Sequence, residues 1–369
     1  MQKASETFKR DKVIEVASKR GLDPHIKTWE DVHVLLKDEL GDECYSLRHI
    51  QRIYKEYLED TYKVESVRDI QMEKYQLQDI QREYRAILRD KARENALLDM
   101  VKDKLSQFEP IPYTPHHYVV TSNYMVVIVS DWHIGAKYEN FLGEYNFDIA
   151  KQRINRFATE TVKKIKQHKP CEVLVLNLND LIEGNIHIST RIQAEFDAVQ
   201  QSIKAGELLA QFIAEVANYA PVVKVGQVLD NHSRINKNKR EHIETESFGK
   251  IVDYIVRERV KHHNVSFIGN TIDDNIGFTQ FGGEKIAWVH GHLDNPKTVK
   301  DKLTNIIGLT LDQVYTAHRH HIDYKGNVLQ VGSLKGTDEY AINHRLGERP
   351  SQSITVFNEY EFIINNVFF

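Results

Sequence analysis

Acidic and histidine side chains follow short apolar runs at several places in the C-terminal two thirds of the chain. Residues 126–129 are Val-Val-Ile-Val, which is typical of a buried strand, and Asp131 and His133 come directly after them. Side chains alternate along extended chain, so these two residues are expected to point to the same side. A single pair of this kind is a weak signal, because a carboxylate at a strand end is often only a helix cap or a turn former.

Four later clusters repeat the arrangement after the apolar runs EVLVLN, KVGQVL, KIAWV and QVYTA. The polar residues that follow these runs include Asp180, then Asn231, His232 and Arg234, then His290 and His292, then His318 and His320. Carboxylate and amide oxygens combined with imidazole nitrogens suit Mn, Fe, Zn or Ni, whereas a calcium site would use oxygens almost throughout. Two such ions a few ångström apart can polarise a phosphoryl group and activate a shared water.

The elements that must position these clusters alternate between strand and helix. From about residue 118, apolar strands are separated by helical stretches such as FDIAKQRINRFATETVKKIKQ, and several short strands follow. A β-α-β-α-β opening followed by short strands predicts an α/β sandwich, in which ligands collect at the carboxyl ends of the strands.

The order of the clusters resembles that of the calcineurin-like metallophosphoesterases, whose motifs read D-x-H, G-D, G-N-H, H and G-H-x-H. The corresponding stretches are DWH at 131–133, ND at 179–180, DNH at 230–232, HGH at 290–292 and AHRH at 317–320. The resemblance covers about residues 124–340. It implies a sandwich of two mixed β-sheets flanked by helices. It also implies phosphoester hydrolysis with two divalent metal ions, Mn being usual in the nuclease branch and Mg, Fe, Zn or Ni being alternatives.

Carried over position by position, the resemblance gives each cluster a role. The implied metal ligands are Asp131, His133 and His320 for one ion, Asn231, His290 and His318 for the other, and Asp180 bridging both. The implied catalytic residues are His232, Asp180 and Asn231. His232 would protonate the leaving alkoxide while a metal-bound hydroxide attacks phosphorus. Asn231, His232 and Arg234 would contact the phosphate, Arg234 as a two-pronged donor. Ligation by His292 in place of His290 is left open.

Four positions depart from the family pattern. Asn179, Asp230 and Ala317 stand where the family usually has glycine, and Ser233 replaces an acid that many members use to orient the histidine. Asn and Asp tolerate left-handed backbone better than other residues with a side chain, so the first two changes are mild. Asp230 adds negative charge beside the site, which would tighten metal binding and weaken phosphate binding. Glu183 is expected to be solvated, capping or structural.

Residues 1–62 are predicted to form a small all-α domain. The segment TWEDVHVLLKDELG has a capping residue, Thr28, at its start and Gly41 at its end, and a brief turn leads to SLRHIQRIYKEYL. The two helices resemble a helix-turn-helix unit, and the donors suited to DNA on the second helix are Arg48, Gln51, Arg52 and Lys55. A generic helical bundle with solvated basic residues is the alternative.

Residues 63–109 are predicted to form one long helix, since the segment lacks glycine and proline. Leu77, Ile80, Tyr84 and Ile87 follow a heptad frame that Lys91 and Glu94 interrupt. The helix would pair weakly with a second copy of the chain or lie along the next domain. Residues 110–123 form a proline-rich linker, and residues 124–369 form the metallophosphoesterase-like domain.

Composition excludes several other classes of protein. The 369-residue chain has a net charge of −4, two cysteines far apart, no apolar run long enough to span a bilayer, and no apolar segment typical of a secretory signal. A cytoplasmic protein without membrane contact is therefore expected, and DNA binding must come from local patches or bound metal. One such patch is the basic loop RINKNKR, with Lys237, Lys239 and Arg240.

The sequence as a whole predicts a metal-dependent DNA nuclease. One alternative is a phosphatase of the same family that acts on a protein or a small phosphoester. Another is a non-catalytic DNA-binding assembly module, which the replaced glycines and Ser233 would favour.

Overall fold

The computed structural model describes residues 5–61, 67–105, 109–116, 118–186, 188–236, 238–239 and 242–369. The chain divides into two compact units, Met1–Arg93 and Glu94–Phe369. The domain boundaries proposed from the sequence, near residues 62 and 109, fall beside residues outside the described ranges and stay a prediction. No helix in the described ranges is both long enough and apolar enough to cross a membrane.

The N-terminal unit has its own small apolar core. Its helices are α1 (Glu6–Ser18), α2 (Trp29–Leu40) and α3 (Leu47–Thr61), with one 3-10 turn at Gly41–Glu43. The Thr28 hydroxyl accepts the Asp31 amide, and the Asp31 carboxylate accepts the Thr28 amide, so α2 begins with a complete capping box. Val32 and Leu36 on α2 and Ile50 on α3 are fully buried in this core.

The helix α4 (Val67–Leu105) follows, and the division between the two units falls within it. Its long form agrees with the glycine- and proline-free sequence. The predicted heptad residues Leu77, Ile80, Tyr84 and Ile87 are exposed.

The C-terminal unit consists of alternating strands and helices. They are β1 (Tyr124–Val129), β2 (Tyr138–Asn140), β3 (Gly143–Tyr145), α5 (Phe147–His168), β4 (Glu172–Asn177), α6 (Ile188–Gln193), α7 (Ala198–Ala217), β5 (Val223–Gln227), α8 (Gly249–Arg259), β6 (Val265–Phe267), β7 (Gly277–Phe281), β8 (Glu284–Trp288), α9 (Val299–Ile307), β9 (Gln313–Thr316), β10 (Asp323–Lys325), β11 (Val328–Gln330), α10 (Glu339–Asn343), β12 (Ser351–Phe357) and β13 (Phe362–Phe368).

Two mixed sheets form the body of this unit. The first has six strands in the order β13-β12-β1-β4-β5-β6, and the second has five in the order β10-β11-β9-β8-β7. The run β1-β4-β5-β6 is parallel, and so is the run β8-β9-β11, whereas the remaining neighbours pair antiparallel. The predicted mixed α/β fold with two mixed sheets is therefore confirmed.

Successive side chains of a strand point to opposite faces of the first sheet, toward the second sheet or toward the helices. On β1, Val126 and Ile128 pack with Trp288 and Tyr315 of the second sheet, while Met125, Val127 and Val129 pack in the cluster that includes residues of α5, α7 and α8. The outer face of the second sheet is covered by α9, whose Val299 and Leu303 are buried there. The result is helices, first sheet, second sheet and helix in four successive layers.

Candidate metal centre

The predicted site residues lie in the loops that follow five strands. Asp131 and His133 follow β1, Asp180 follows β4, and His232 follows β5; His290 follows β8, and His318 and His320 follow β9. Because β1, β4 and β5 are parallel, their carboxyl ends lie along one edge of the first sheet. The loops after β8 and β9 of the second sheet meet them there.

Three groups of these side chains converge, and in each group the ligand atoms lie within 4.8 Å of one another. The groups are Asp131 with His133 and His320, His133 with Asp180 and His232, and Asp180 with His290 and His318. Asp180 belongs to two groups, which is the arrangement expected of a carboxylate shared by two ions. All three groups lie in the C-terminal unit.

The distances between ring nitrogens match those expected between two ligands of one metal ion. His133 Nε2 lies 3.3 Å from His320 Nε2, and His290 Nε2 lies 3.2 Å from His318 Nδ1. Two ligands each about 2.1 Å from one ion are about 3.0–3.4 Å apart in octahedral or tetrahedral geometry. Carboxylate oxygens approach as closely, since His290 Nε2 is 3.1 Å from Asp180 Oδ2 and His320 Nε2 is 3.1 Å from Asp131 Oδ1.

The backbone of the site is unusual for residues with side chains. Positive φ angles occur at Asp131, His133, Asn179, Asp180, His318 and His320, with values from 50° to 68°. Left-handed backbone at such residues is sparsely populated and is found where the surroundings enforce it, often at functional sites. Of the replaced glycines, only Asn179 has this conformation, so Asp230 and Ala317 require no glycine.

Three histidines are oriented through the ring nitrogen that faces away from the centre. His290 Nδ1 donates to the Leu178 carbonyl at 2.7 Å, and His232 Nδ1 donates to the Glu183 carbonyl at 2.8 Å. His133 Nδ1 lies 3.0 Å from the Glu183 carboxylate. Fixing one nitrogen directs the Nε2 of each ring toward the centre, as metal-binding histidines require.

Glu183 is the residue whose role the sequence did not reveal. It is buried, and its carboxylate lies between His133 and the ammonium group of Lys335, 3.4 Å away. Lys335 is also buried and pairs with Asp338 at 2.7 Å. Burial raises the pKa of Glu183, but Lys335 and His133 outweigh burial and hold it well below the usual range. Glu183 is thus a buried anion that positions His133. Its position in the sequence, three residues after Asp180, was the feature that could have indicated this role.

Asp230 links the loops after β4 and β5. Its Oδ2 accepts the backbone N–H of Asp180 at 2.7 Å and the hydroxyl of Ser233 at 2.8 Å, and its Oδ1 accepts the backbone N–H of Ser233 at 3.0 Å. Burial raises the pKa of Asp230 to about 6, and the neighbouring Asp180 adds to this effect. Asp230, which stands where the metallophosphoesterase pattern has glycine, therefore holds the backbone of Asp180 in place.

Electrostatics divide the histidines into two kinds. Burial lowers the pKa of His133 and of His318 to about 4, so both rings are neutral near pH 7. Burial also lowers the pKa of His290, but the Asp180 carboxylate beside it prevails and raises this pKa to about 10. Burial acts to raise the pKa of Asp131, but the neighbouring His320 outweighs burial and lowers this pKa to about 2.

The remaining predicted site residues fall into two places. Asn231, Arg234 and His292 line one small cavity beside the centre. His290, not His292, brings its Nε2 to Asp180 and His318. The α3 residues Arg48, Gln51, Arg52 and Lys55 belong to the N-terminal unit, where Arg52 pairs with Glu56 and Lys55 with Glu59. Lys237 and Arg240 lie outside the described residues.

The residues present fit a pair of divalent cations. Asp131 Oδ1 and Asp180 Oδ2 are buried and lie 3.1 Å from the ring nitrogens of His320 and His290, while Asn231 Oδ1 is buried and forms no hydrogen bond within the described part of the chain. Buried acceptors of this kind are costly without a partner, and an ion would satisfy them. The donor set of carboxylates, an amide and imidazoles suits Mn, Fe, Zn or Ni. The fold and the site define a mixed α/β protein with a centre that could hold metal ions.

Comparison with known proteins adds relatives without an assigned activity. No family model matches the chain. It is 23% identical over 301 residues to the SPbeta prophage-derived uncharacterized protein YonJ of Bacillus subtilis (strain 168), covering 74% of this chain and 73% of that relative.

Solved structures also match, among them the following two. One is the crystal structure of Chaetomium thermophilum Vps29, with a TM-score of 0.28, 12% identity, and coverage of 66% of this chain and 97% of that chain. The other is the same protein complexed with the RaPID-derived cyclic peptide RT-D3, with a TM-score of 0.29, 11% identity, and coverage of 67% and 97%. The function of the present chain therefore rests on the chemistry of its own residues.

Proposed function

We propose that the protein is a metal-dependent phosphodiesterase that cleaves DNA. The observation that carries this proposal is the convergence of the three groups of ligands on a common centre, with Asp180 shared between two of them. Two metal ions a few ångström apart are a recurrent device for hydrolysing phosphoesters. The order of the five strand-end clusters, which resembles that of the metallophosphoesterases, gives independent support from the sequence.

Two of the three groups support the proposed ligand sets, and Asn231 is added from the sequence pattern. Asp131, His133 and His320 would hold one ion; His290, His318 and Asn231 would hold the other; and Asp180 would contact both. When bound, the ions would neutralise charge on the phosphoryl oxygens and supply an activated water for the attack.

The proposed role of His232 is to act on the leaving group. Its Nδ1 donates to the Glu183 carbonyl, so its Nε2 faces the centre, 3.9 Å from Asp180 Oδ2. A proton on this nitrogen would pass to the departing alkoxide. Arg234, which lines the cavity beside the centre, would hold a phosphate oxygen through its guanidinium.

DNA is the proposed substrate because of the helical N-terminal unit. α2 and α3 follow one another after a short turn, and Arg48, Arg52 and Lys55 are exposed on α3. Helices joined in this way place the second helix in the major groove in many DNA-binding proteins. The ion pairs from Arg52 and Lys55 to acids on the same helix are surface contacts, which phosphate oxygens would displace at little cost.

The test is a nuclease assay with labelled linear and circular DNA, single- and double-stranded, in Mn, Mg, Zn or chelator. We expect cleavage with a divalent metal, loss of cleavage in chelator, and loss in Asp180→Asn, which keeps the size of the side chain but removes its charge. Asp253→Asn is the matched control, since Asp253 is on α8 and pairs with Arg257.

A phosphomonoester assayed in parallel separates the two enzymatic hypotheses. Hydrolysis of the monoester with every DNA intact would make the protein a phosphatase. Metal binding without hydrolysis of either substrate would favour the non-catalytic DNA-binding module.

A further inference from the structure

We infer that a second phosphate-binding subsite flanks the metal centre and takes the phosphate that neighbours the scissile one. The subsite is a cavity of about 80 Å³ whose polar lining includes Lys239, His242, Asn275 and His292. It borders the metal centre at Asn231 and Arg234, to which the proposed function gives roles at the metal and at the scissile phosphate. This inference rests on the proposed function, because it names a part of the substrate for the same centre.

The lining of the cavity contains buried polar atoms that lack a partner. Arg234 Nε, His242 Nδ1, His292 Nδ1 and Asn231 Oδ1 form no hydrogen bond within the ranges that the structure describes. A buried polar group left in this state is destabilising, and such a group in a native protein calls for an explanation such as a ligand or water. Asn231 Oδ1 is assigned to the metal ion, and the other three atoms, all nitrogens around one small cavity, indicate a polar occupant.

Cationic side chains and unpartnered nitrogens around the cavity suit an anion. Arg234 and Lys239 bring positive charge, and three of the four unpartnered atoms are nitrogens. The lining also includes two carboxylates, Asp230 and Glu244, whose oxygens accept hydrogen bonds from the protein. Asp230 accepts the amide of Asp180 and the hydroxyl of Ser233, and Glu244 accepts the side-chain amide of Asn275 at 2.7 Å. None of the groups of possible metal ligands in the described part of the chain includes His242, Glu244 or His292.

The size and position of the cavity identify the group that it takes. A cavity of about 80 Å³ has room for a group the size of a phosphate. The His292 ring lies 5.4 Å from the His290 ring and 6.2 Å from the His318 ring. A phosphate in the cavity therefore lies beside one held at the metal centre, as successive phosphates of one strand do.

The subsite is tested by calorimetry with the Mn-loaded full chain and two ligands that differ by one phosphate. The ligands are thymidine 3′,5′-bisphosphate and thymidine 5′-monophosphate. We expect the bisphosphate to bind about tenfold more tightly or better, since one charge-assisted contact supplies that factor. In Lys239→Ala/His242→Ala the ratio of the two affinities should fall to about one, whereas Lys325→Ala, an exposed lysine on β10, should keep it.

Thermal unfolding of each variant checks that it is folded. The single variant Lys239→Ala, at an exposed position, should give a ratio of bisphosphate to monophosphate affinity between those of the wild-type protein and the double variant. Equal affinities in the wild-type protein, or an unchanged ratio in the double variant, would overturn the subsite and leave the cavity to water. Hydrolysis of DNA is a separate readout: its absence while the bisphosphate is still preferred would contradict the proposed function alone.

Discussion

At the scale of single residues, the centre depends on side chains that do not face the ions themselves. Glu183 holds His133 through its Nδ1, and Asp230 holds the backbone of Asp180. Such outer contacts fix the orientation of a ligand and raise its basicity. Their loss should weaken metal binding without removing a ligand.

Glu183→Gln tests this expectation. The amide keeps the shape of the side chain but loses the charge facing His133 and Lys335, so the affinity for Mn²⁺ should fall by about 10–100-fold. Competition with a fluorescent metal indicator measures it. Glu172→Gln is the control, since Glu172 pairs with Lys224 in a half-buried contact on β4 and β5. An equal loss of affinity in both variants would refute the positioning role of Glu183.

Metal affinity should rise with pH because of His290. In the metal-free protein the Asp180 carboxylate outweighs burial and raises the pKa of His290 to about 10, so the ring carries a proton at pH 7. A metal ion must displace that proton, and affinity should therefore increase by up to about tenfold per pH unit between pH 7 and 8. Calorimetry in buffers of different ionisation enthalpy should record about one proton released per chain from this residue; pH-independent affinity would contradict the pairing.

At the scale of elements, the site exists because loops after separate strands approach one another closely. Gly184, in the loop after β4, has a φ of +70°, and a Cβ built on it would overlap the carbonyl oxygen of His232 in the loop after β5. Only glycine permits this approach without strain.

Gly184→Ala should therefore separate the two loops. We expect a lower melting temperature and weaker Mn²⁺ binding together, since His232 and Asp180 are joined by the hydrogen bond between the His232 amide and Asp180 Oδ1 at 3.2 Å. Gly269→Ala is the control, because a Cβ there meets nothing within 4 Å and its φ is not left-handed. Unchanged metal affinity in folded Gly184→Ala would show that the approach is not needed.

The strands and the polar residues at their ends could be predicted from the sequence, whereas the contacts between the loops that follow different strands could not. The apolar runs before Asp131 and Asp180 mark strands of a parallel sheet, and ligands collect at their carboxyl ends. Nothing local indicates that Lys335, more than 150 residues further on, turns inward to pair with Glu183. The left-handed backbone of six site residues is likewise enforced by packing of several loops, and residue type suggested it only for Asn179.

At the scale of the whole molecule, self-association through the helix α4 is a prediction from its heptad pattern. Leu77, Ile80, Tyr84 and Ile87 keep heptad spacing and are exposed. Heptad apolar residues pair with a second helix of the same kind. Because the pattern breaks at Lys91 and Glu94, the predicted association is weak.

Ile80→Asp should shift the chain toward monomer, because it places a charge in the seam. Analytical ultracentrifugation over a range of concentrations measures this, and Gln78→Asp, which adds the same charge at a position outside the heptad seam, should leave the distribution unchanged. A wild-type chain that is monomeric at all concentrations would contradict self-association through α4.

Counting bound Mn²⁺ tests the account most directly, by calorimetry together with electron paramagnetic resonance of the full chain. We expect two ions per chain with an exchange-coupled spectrum, and in Asp180→Asn the loss of coupling with markedly weaker binding of at least one ion. A wild-type chain that binds no Mn²⁺, or whose two ions keep their affinity and coupling without the Asp180 carboxylate, would contradict the proposed metal centre.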